Sequence, residues 1–280
     1  MTRPELRLAA TRLAAPFFEP GSVWLAGAGP GDPGLLTLHT AHALSVADVV
    51  LYDALVSPDV LALAGPARLE PVGKRAGGAR TPQLRINQRL IGLARQNLRV
   101  LRLKGGDPLV FGRGGEEALA LAAAAIPFRI IPGVSAGIGG TALAGIPLTH
   151  RGLARSVAFA TGHDRRGGLP DLDFAALSRG AETLVFYMAL RQAAPLARAL
   201  MEAGRGGDEA VAFVAAATTA AQRVTMATLS TAGAVAATLP APVPTLIVVG
   251  PVLALREIVA PLQQAWPMAL RPTAFLATAS

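Results

Sequence analysis

Short apolar runs alternate with helical patterns along the first half of the chain, and this alternation constrains its fold most. The apolar runs span residues 23–26, 49–52, 69–72, 100–103 and 128–131. Helix-forming sequence fills the segments between them, near residues 36–47, 58–64, 82–96 and 115–125. Strands joined through helices run parallel, because each crossover returns the chain to the same edge of the sheet. The pattern therefore predicts an α/β domain with a buried parallel sheet.

The second half of the chain predicts another α/β domain, but with a mixed sheet. Its apolar runs span residues 157–161, 184–188, 211–214, 223–228 and 246–249, with helices near 192–203 and 231–238. The run at 223–228 follows the run at 211–214 after a connection that is too short to contain a helix. Those two strands are therefore expected to pair in antiparallel fashion.

Turn residues predict where the two domains meet. A small-residue helix is expected at 135–144, capped by Ser135, and Gly145 and Pro147 follow it in a polar segment. We expect an N-terminal extension at 1–20, an N-terminal α/β domain at 21–145, a C-terminal α/β domain at 146–260 and a tail at 261–280. A length of 280 residues suffices for two domains of ordinary size.

Composition argues against several kinds of site. The chain has no cysteine, which rules out disulfides, thiolate metal ligands and cysteine nucleophiles. Among its four histidines, His39 and His42 share a helix face, but no nearby histidine or acid completes a metal site. Residues 224–255 carry no charge, yet glycines and prolines interrupt any helix long enough to span a membrane. Arg12 interrupts the apolar core of a signal peptide, so a cytoplasmic protein without a membrane partner is expected.

A net charge of +8, carried mainly by arginine, predicts an anionic partner. The arginines are dispersed, and no basic run is interleaved with aromatic residues, so a nucleic acid is not expected. Dispersed guanidinium groups suit a small polyanion, because each group can bind a carboxylate through two hydrogen bonds. A basic surface that only confers solubility is the alternative interpretation.

The same tripeptide follows two predicted strands of the first domain. Gly31-Asp32-Pro33 follows the run at 23–26, and Gly106-Asp107-Pro108 follows the run at 100–103. Open α/β sheets bind ligands at the carboxyl ends of their strands, so the two loops form one candidate pocket. Glycine, aspartate and proline are also common turn residues, and ordinary turns are the alternative.

The first loop also fits the glycine fingerprint of dinucleotide-binding enzymes, at Gly29, Gly31 and Gly34. This match raises a nucleotide-dependent oxidoreductase as an alternative. However, two prolines in the loop lack backbone N–H groups, and Asp32 adds a negative charge, so a pyrophosphate ligand is disfavoured. A ligand with a positive charge and ring nitrogens suits this loop better, and S-adenosylmethionine is such a ligand.

Further motifs occur in a consistent order along most of the chain. They include Gly27-Ala28-Gly29-Pro30-Gly31-Asp32-Pro33-Gly34, Tyr52-Asp53-Ala54-Leu55, Val72-Gly73-Lys74-Arg75, Ile131-Pro132-Gly133-Val134-Ser135-Ala136, Thr149-His150-Arg151 and Thr161-Gly162-His163. Over about residues 23–255 the sequence resembles the tetrapyrrole methylase family. The long motif at 102–117 and the Thr149-His150-Arg151 element give this resemblance its specificity.

The resemblance implies a fold and an activity. The fold class is α/β, with two α/β domains and the active-site cleft between them, usually in a homodimer. The activity is transfer of two methyl groups from S-adenosylmethionine to carbons C2 and C7 of uroporphyrinogen III, with S-adenosylhomocysteine as by-product and no metal. The product would be precorrin-2, formed through precorrin-1, on the routes to cobalamin and sirohaem. The eight carboxylates of that substrate would account for the net charge of +8.

The resemblance also implies roles for individual residues. Cofactor contacts are expected at Pro30, Gly105, Gly106, Asp107, Val110, Ser135, Ala136, Met188, Ala217 and Thr245. Asp53 is expected to be the proton acceptor and Lys74 the proton donor. Without the resemblance, Asp53 would be read as a helix cap or turn residue, and Lys74 as a solvated cation. Carboxylate-binding cations are expected at Arg75, Arg113, Arg151 and Arg155.

Two positions depart from the family pattern. Where the family commonly has Asn-Ala-Thr, this chain has Ala216-Ala217-Thr218, so Ala217 is expected to contact the cofactor through its backbone only. Thr245 stands where alanine is more usual. Neither change involves Asp53, so activity is still expected. The alternatives are another member of the superfamily, such as a precorrin-4 methylase or a diphthine synthase, the oxidoreductase, and a non-enzymatic binding protein.

Overall fold

The computed structural model describes residues 16–73, 82–164 and 167–263. The chain divides into two compact units, Met1–Gly139 and Gly140–Ser280. This division falls within the helix Ala136–Leu143, whereas the sequence placed the junction after residue 145, just beyond that helix.

The first unit contains a parallel five-stranded sheet. Its strands are β1 (Val23–Gly27), β2 (Val49–Tyr52), β3 (Arg68–Pro71), β4 (Val100–Lys104) and β5 (Phe128–Ile131), in the order β3-β2-β4-β1-β5. Every neighbouring pair is parallel, which confirms the predicted organisation. β1 and β4 are neighbours, but the connections that follow them lead toward opposite edges of the sheet. In open α/β sheets such a position is where ligands bind.

Helices cover both faces of this sheet. One face is covered by α1 (Leu38–Val46) and α2 (Pro58–Leu61), and the other by α3 (Gln83–Ala94) and α4 (Gly114–Ala123). β4 shows the two-residue alternation of a strand, because Leu101 and Leu103 belong to one core cluster and Val100 to the other. A fifth helix, α5 (Ala136–Leu143), follows β5.

Local sequence explains where the first helices begin and end. The Thr37 and Ser57 side chains cap α1 and α2 by accepting hydrogen bonds from the backbone N–H groups of Thr40 and Val60. The helix expected near 58–64 is shorter in the structure and ends at Leu61. After Leu61 the chain continues in tighter turns, in which the Leu63 and Ala64 N–H groups donate to the Val60 and Leu61 carbonyls, three residues back.

The second unit contains a mixed five-stranded sheet, as its sequence predicts. Its strands are β6 (Val157–Thr161), β7 (Thr183–Tyr187), β8 (Ala210–Ala215), β9 (Arg223–Thr228) and β10 (Thr245–Val249), in the order β6-β7-β10-β8-β9. β6 and β7 are parallel, whereas β10 is antiparallel to β7 and β8, and β9 is antiparallel to β8.

The helices of the second unit are α6 (Phe174–Gly180), α7 (Ala193–Glu202), α8 (Ala232–Thr238) and α9 (Arg256–Val259). The sequence predicted α7 and α8 but neither α6 nor α9. α6 begins after Asp173, whose carboxylate accepts a hydrogen bond from the Ala176 N–H. Leu196 and Leu200 of α7 pack in a core cluster with Phe186 of β7 and Phe213 of β8.

Candidate active site

The two Gly-Asp-Pro loops are joined to each other through their backbones. The Gly106 N–H donates to the Gly29 carbonyl at 2.7 Å, and the Gly29 N–H donates to the Gly106 carbonyl at 3.3 Å. Just before this pair, the Ala28 N–H donates to the Lys104 carbonyl at 2.7 Å. The structure thus brings together the two loops that the sequence placed in one candidate pocket.

Gly27 and Gly133 make a close approach to the second loop possible. A Cβ atom added at Gly27 would lie 2.4 Å from the Gly106 oxygen and 2.5 Å from the Gly133 Cα. A Cβ atom at Gly133 would lie 2.3 Å from the same oxygen. The ends of β1 and β4 and the turn after β5 therefore pack backbone against backbone.

Both aspartates of the tripeptides bind their own loops. Asp32 Oδ1 accepts a hydrogen bond from the Gly34 N–H at 2.8 Å. Asp107 Oδ1 accepts from the Leu109 N–H at 2.8 Å, and its Oδ2 accepts from the Gly133 N–H at 3.0 Å. The Asp107 carboxylate therefore shapes the loop in addition to any contact with a ligand.

The structure of the first loop also argues against a dinucleotide-binding site. A pyrophosphate binds to free backbone N–H groups at the start of an α-helix. Here the loop leads into a single turn of 3-10 helix, Pro33–Leu35, and the Asp32 carboxylate caps that turn. The position that a phosphate would need is thus occupied by a negative charge.

The other predicted cofactor residues of the first unit border these loops. A Cβ atom at Gly106 would lie 3.8 Å from the Ser135 Cα and 3.9 Å from the Ala136 N. Pro30 approaches α5, since a Cβ atom at Gly139 would lie 3.3 Å from its Cγ. Ser135 is buried, Gly105 is half-buried, and Val110 is exposed in the second loop.

Asp53 lies next to the same edge of the sheet, directly after β2. Its backbone N–H donates to the Leu103 carbonyl at 3.2 Å. Its Oδ1 accepts from Arg102 Nη2 at 2.5 Å, and its Oδ2 accepts from Lys104 Nζ at 3.3 Å. Both cations also bind Glu117 Oε1, at 3.0 Å for Arg102 and 3.2 Å for Lys104.

Sequence reasoning missed the cations beside Asp53, although a signal was present. Arg102 and Lys104 alternate with leucines in an otherwise apolar strand, and a strand directs residues two apart to the same face. Charged side chains on a strand that is covered on both faces need partners of opposite charge. The sequence could not show that Glu117 of α4 would be that partner.

The remaining predicted catalytic and substrate-binding residues fall into three groups. Lys74 and Arg75 lie outside the described residues. Arg113 makes two hydrogen bonds to Glu116, at 2.9 Å and 2.5 Å, and these raise the pKa of its guanidinium group. Arg151 and Arg155 lie in the second unit and are exposed, and Arg155 Nε is 3.7 Å from Glu182 Oε1.

The predicted cofactor residues of the second unit gather at one end of its sheet. Thr245 begins β10 and pairs with Ala215, two residues before Ala217. In the antiparallel pairing of β10 with β7, Ile247 lies opposite Phe186, and Met188 follows directly after the last residue of β7. Met188 is exposed and has a positive φ of 58°.

The described residues show neither a membrane helix nor a metal site. Across residues 16–73, 82–164 and 167–263, no helix combines the length and apolar character needed to cross a membrane. Within the same ranges, no group of three or more histidines, aspartates or glutamates could hold a metal ion.

The fold and these motif loops define a class of protein. The sequence profile of the Tetrapyrrole (Corrin/Porphyrin) Methylases matches residues 22–233, and the chain belongs to this family. It is 53% identical over 243 residues to a uroporphyrinogen-III C-methyltransferase of a Sinorhizobium species, covering 86% of this chain and 87% of that protein. It is also 50% identical over 238 residues to a siroheme synthase of Neisseria meningitidis. That alignment covers 85% of this chain and 48% of the siroheme synthase.

Solved structures give the same family. The uroporphyrin-III C-methyl transferase of Thermus thermophilus, complexed with S-adenyl homocysteine, superimposes with a TM-score of 0.73 at 40% identity, covering 84% of this chain and 99% of that one. A cobalt precorrin-4 methyltransferase shares the fold, with a TM-score of 0.74 at 24% identity over 83% of this chain and 96% of that one.

Proposed function

We propose that this chain transfers methyl groups from S-adenosylmethionine to carbons C2 and C7 of uroporphyrinogen III, giving precorrin-2 for cobalamin or sirohaem synthesis. The observation that carries the proposal is the pair of backbone-joined glycine loops beside Asp53. Identity of 53% to a uroporphyrinogen-III C-methyltransferase, over 86% of this chain, supports the choice of substrate. The neighbour complexed with S-adenyl homocysteine supports the choice of methyl donor.

The loops of the first unit fit S-adenosylmethionine, which supplies an electrophilic methyl group when bound. Gly105 and Gly106 allow close approach to the backbone, and the Asp107 carboxylate places a negative charge near a cationic ligand. We infer that Pro30, Val110, Ser135 and Ala136 border the cofactor. Met188, Ala217 and Thr245 remain predicted contacts from the second unit.

Asp53 is the proposed proton acceptor. When a pyrrole carbon accepts a methyl group, the macrocycle must afterwards lose a proton, and a positioned carboxylate accelerates that loss. Arg102 and Lys104 hold the two oxygens of Asp53 and so fix the orientation of the carboxylate. Lys74 remains the proposed proton donor.

We further propose that the net charge of +8 guides the octacarboxylate substrate to the enzyme. Arg75, Arg113, Arg151 and Arg155 are the proposed carboxylate-binding residues. Arg113 already binds a carboxylate, that of Glu116, through both sides of its guanidinium fork. A homodimer that works in the cytoplasm completes the proposal.

The test is an anaerobic incubation with S-adenosylmethionine and uroporphyrinogen III, with the added methyl groups counted by mass spectrometry. We expect two methyl groups per macrocycle. Asp53→Asn should lower kcat by roughly 10²-fold or more, with the affinity for S-adenosylhomocysteine retained. Asp59→Asn is the matched control, because Asp59 is an exposed carboxylate on the neighbouring helix α2.

Other outcomes would correct different parts of the proposal. If S-adenosylhomocysteine binds but no methyl group is added, the substrate is a different tetrapyrrole or another acceptor. If S-adenosylhomocysteine does not bind, the cofactor assignment is wrong. If Asp53→Asn keeps full activity, another group accepts the proton.

A further inference from the structure

A group of charged and polar side chains, its charged members buried, lies behind Asp53 on the face of the sheet covered by α3 and α4. The group consists of Arg102 and Lys104 of β4, Glu117 of α4 and Gln83 of α3. The side chains of Arg102 and Lys104 are 2% exposed and that of Glu117 is 0% exposed, whereas that of Asp53 is 28% exposed. Among these four charged side chains, Asp53 is therefore the one that solvent and ligands can reach.

The network is balanced in charge and has one centre. It combines two cations with two carboxylates, so burial leaves no net charge uncompensated. Glu117 Oε1 accepts hydrogen bonds from Arg102, Lys104 and Gln83 Nε2, the last at 3.1 Å. Glu117 thus fixes the two cations that in turn hold the separate oxygens of Asp53.

The second oxygen of Glu117 is different. Among the residues that the structure describes, Glu117 Oε2 is buried and has no hydrogen-bond partner. All three hydrogen bonds that Glu117 makes in this network are therefore accepted by Oε1. A glutamine at this position could retain the accepting oxygen and place its amide nitrogen where Oε2 lies, so the substitution removes the charge with little change of shape.

Joining the strands does not require so many buried charges. The same two strands are already linked at their opposite ends, where Arg99 binds both oxygens of Asp48 at 3.1 Å and 2.8 Å. That simpler pair is half-exposed. A buried ion network is weak evidence for stability, because desolvation offsets much of the attraction between its charges. The placement of this network behind one partly exposed carboxylate points to a role in orienting it.

We propose that Glu117 is a positioning residue that acts through Arg102 and Lys104 to fix the Asp53 carboxylate for proton removal. This inference rests on the proposed function, in which Asp53 is the proton acceptor. Lys104 also connects the network to the second loop, since a Cβ atom at Gly112 would lie 3.3 Å from Lys104 Cε. The Glu117 side chain is 0% exposed, so its role is to position other groups and not to contact a ligand.

The experiment is a double-mutant cycle with Glu117→Gln and Asp53→Asn. In the wild-type background, Glu117→Gln should lower kcat by about tenfold or more while KM for both substrates changes by less than about threefold. In the Asp53→Asn background, Glu117→Gln should have no further effect on kcat, because the group that it orients is already lost. Asp48→Asn is the matched control and should lower thermal stability without lowering kcat.

A merely structural role would give a different pattern. If Glu117→Gln lowers kcat by the same factor in both backgrounds, or leaves kcat unchanged in an Asp53-dependent enzyme, the inference is wrong while the proposed function stands. Full activity of Asp53→Asn would overturn both the inference and the proposed role of Asp53 as proton acceptor. If Glu117→Gln does not fold, Lys104→Met, which retains the buried stem and removes the charge, should show the same dependence on Asp53.

Discussion

Gly133 offers a direct test of whether the close approach of three backbones forms the site. A Cβ atom at this position would lie 2.3 Å from the Gly106 oxygen and 2.7 Å from the Gly27 Cα. Ordinary contact begins at 3.4 Å, so Gly133→Ala requires the turn after β5 to move by about 1 Å away from the second loop. Gly133 is not among the described glycines with positive φ, so the expected effect is steric.

The displacement should affect both stability and binding. Overpacking costs about 1–3 kcal/mol, and the hydrogen bond from the Gly133 N–H to Asp107, which would be stretched, contributes about 1 kcal/mol more. We therefore expect Gly133→Ala to lower the free energy of unfolding by roughly 2–4 kcal/mol. Because the displaced turn leads directly into Ser135 and Ala136, which we propose border the cofactor, Kd for S-adenosylhomocysteine should rise at least about tenfold.

Urea unfolding and calorimetric titration with S-adenosylhomocysteine measure the two effects. Gly92→Ala is the control, because Gly92 lies within α3 and a Cβ atom there meets nothing within 4 Å. That variant should be more stable by about 0.5–1 kcal/mol and should bind normally. Wild-type stability and affinity in Gly133→Ala would refute the reasoning.

Two further predictions concern stability. Ala216 has a positive φ of 46°, and asparagine tolerates this region better than alanine does. Ala216→Asn should therefore raise the free energy of unfolding, measured in urea, by about 0.5–1 kcal/mol. Ala220→Asn, at an exposed position nearby, is the control and should not raise it. Burial, followed by the nearby charge of His39, lowers the pKa of His42 in the folded protein. The contribution of neutral His42 to stability should be complete above its pKa of about 6.5 in the unfolded chain, and it should be lost as the pH falls through the lower pKa of the folded state. The difference between the thermal unfolding temperatures at about pH 7.5 and about pH 5.5 should therefore be smaller in His42→Gln than in the wild type.

The sequence predicted elements whose pattern is local. β2, β5 and β9 match their predicted runs residue for residue, because each is a short apolar or alternating segment between turn residues. α6 was missed because it spans only Phe174–Gly180, too few residues for its periodicity to stand out. Its cap, Asp173, was the available signal.

Contacts between distant segments explain what the sequence could not predict in the candidate site. Asp107 was expected to bind a ligand, but its bond to the Gly133 N–H depends on how closely β4 and the turn after β5 approach. The network behind Asp53 likewise depends on which sides of α3 and α4 face the sheet. Arg102 and Lys104 could be recognised as unusual in a strand, but their partner could not be identified.

The bonds between Gly29 and Gly106 have a consequence for how such a site can be altered. They involve only main-chain atoms, and the Asp107 bonds end on backbone N–H groups. The side chains of Leu109 and Val110 are exposed and contribute no side-chain hydrogen bond to this framework. Randomising those two positions therefore varies the exposed surface of the second loop while the main-chain scaffold beneath it persists, so changes in ligand preference can be separated from changes in the fold.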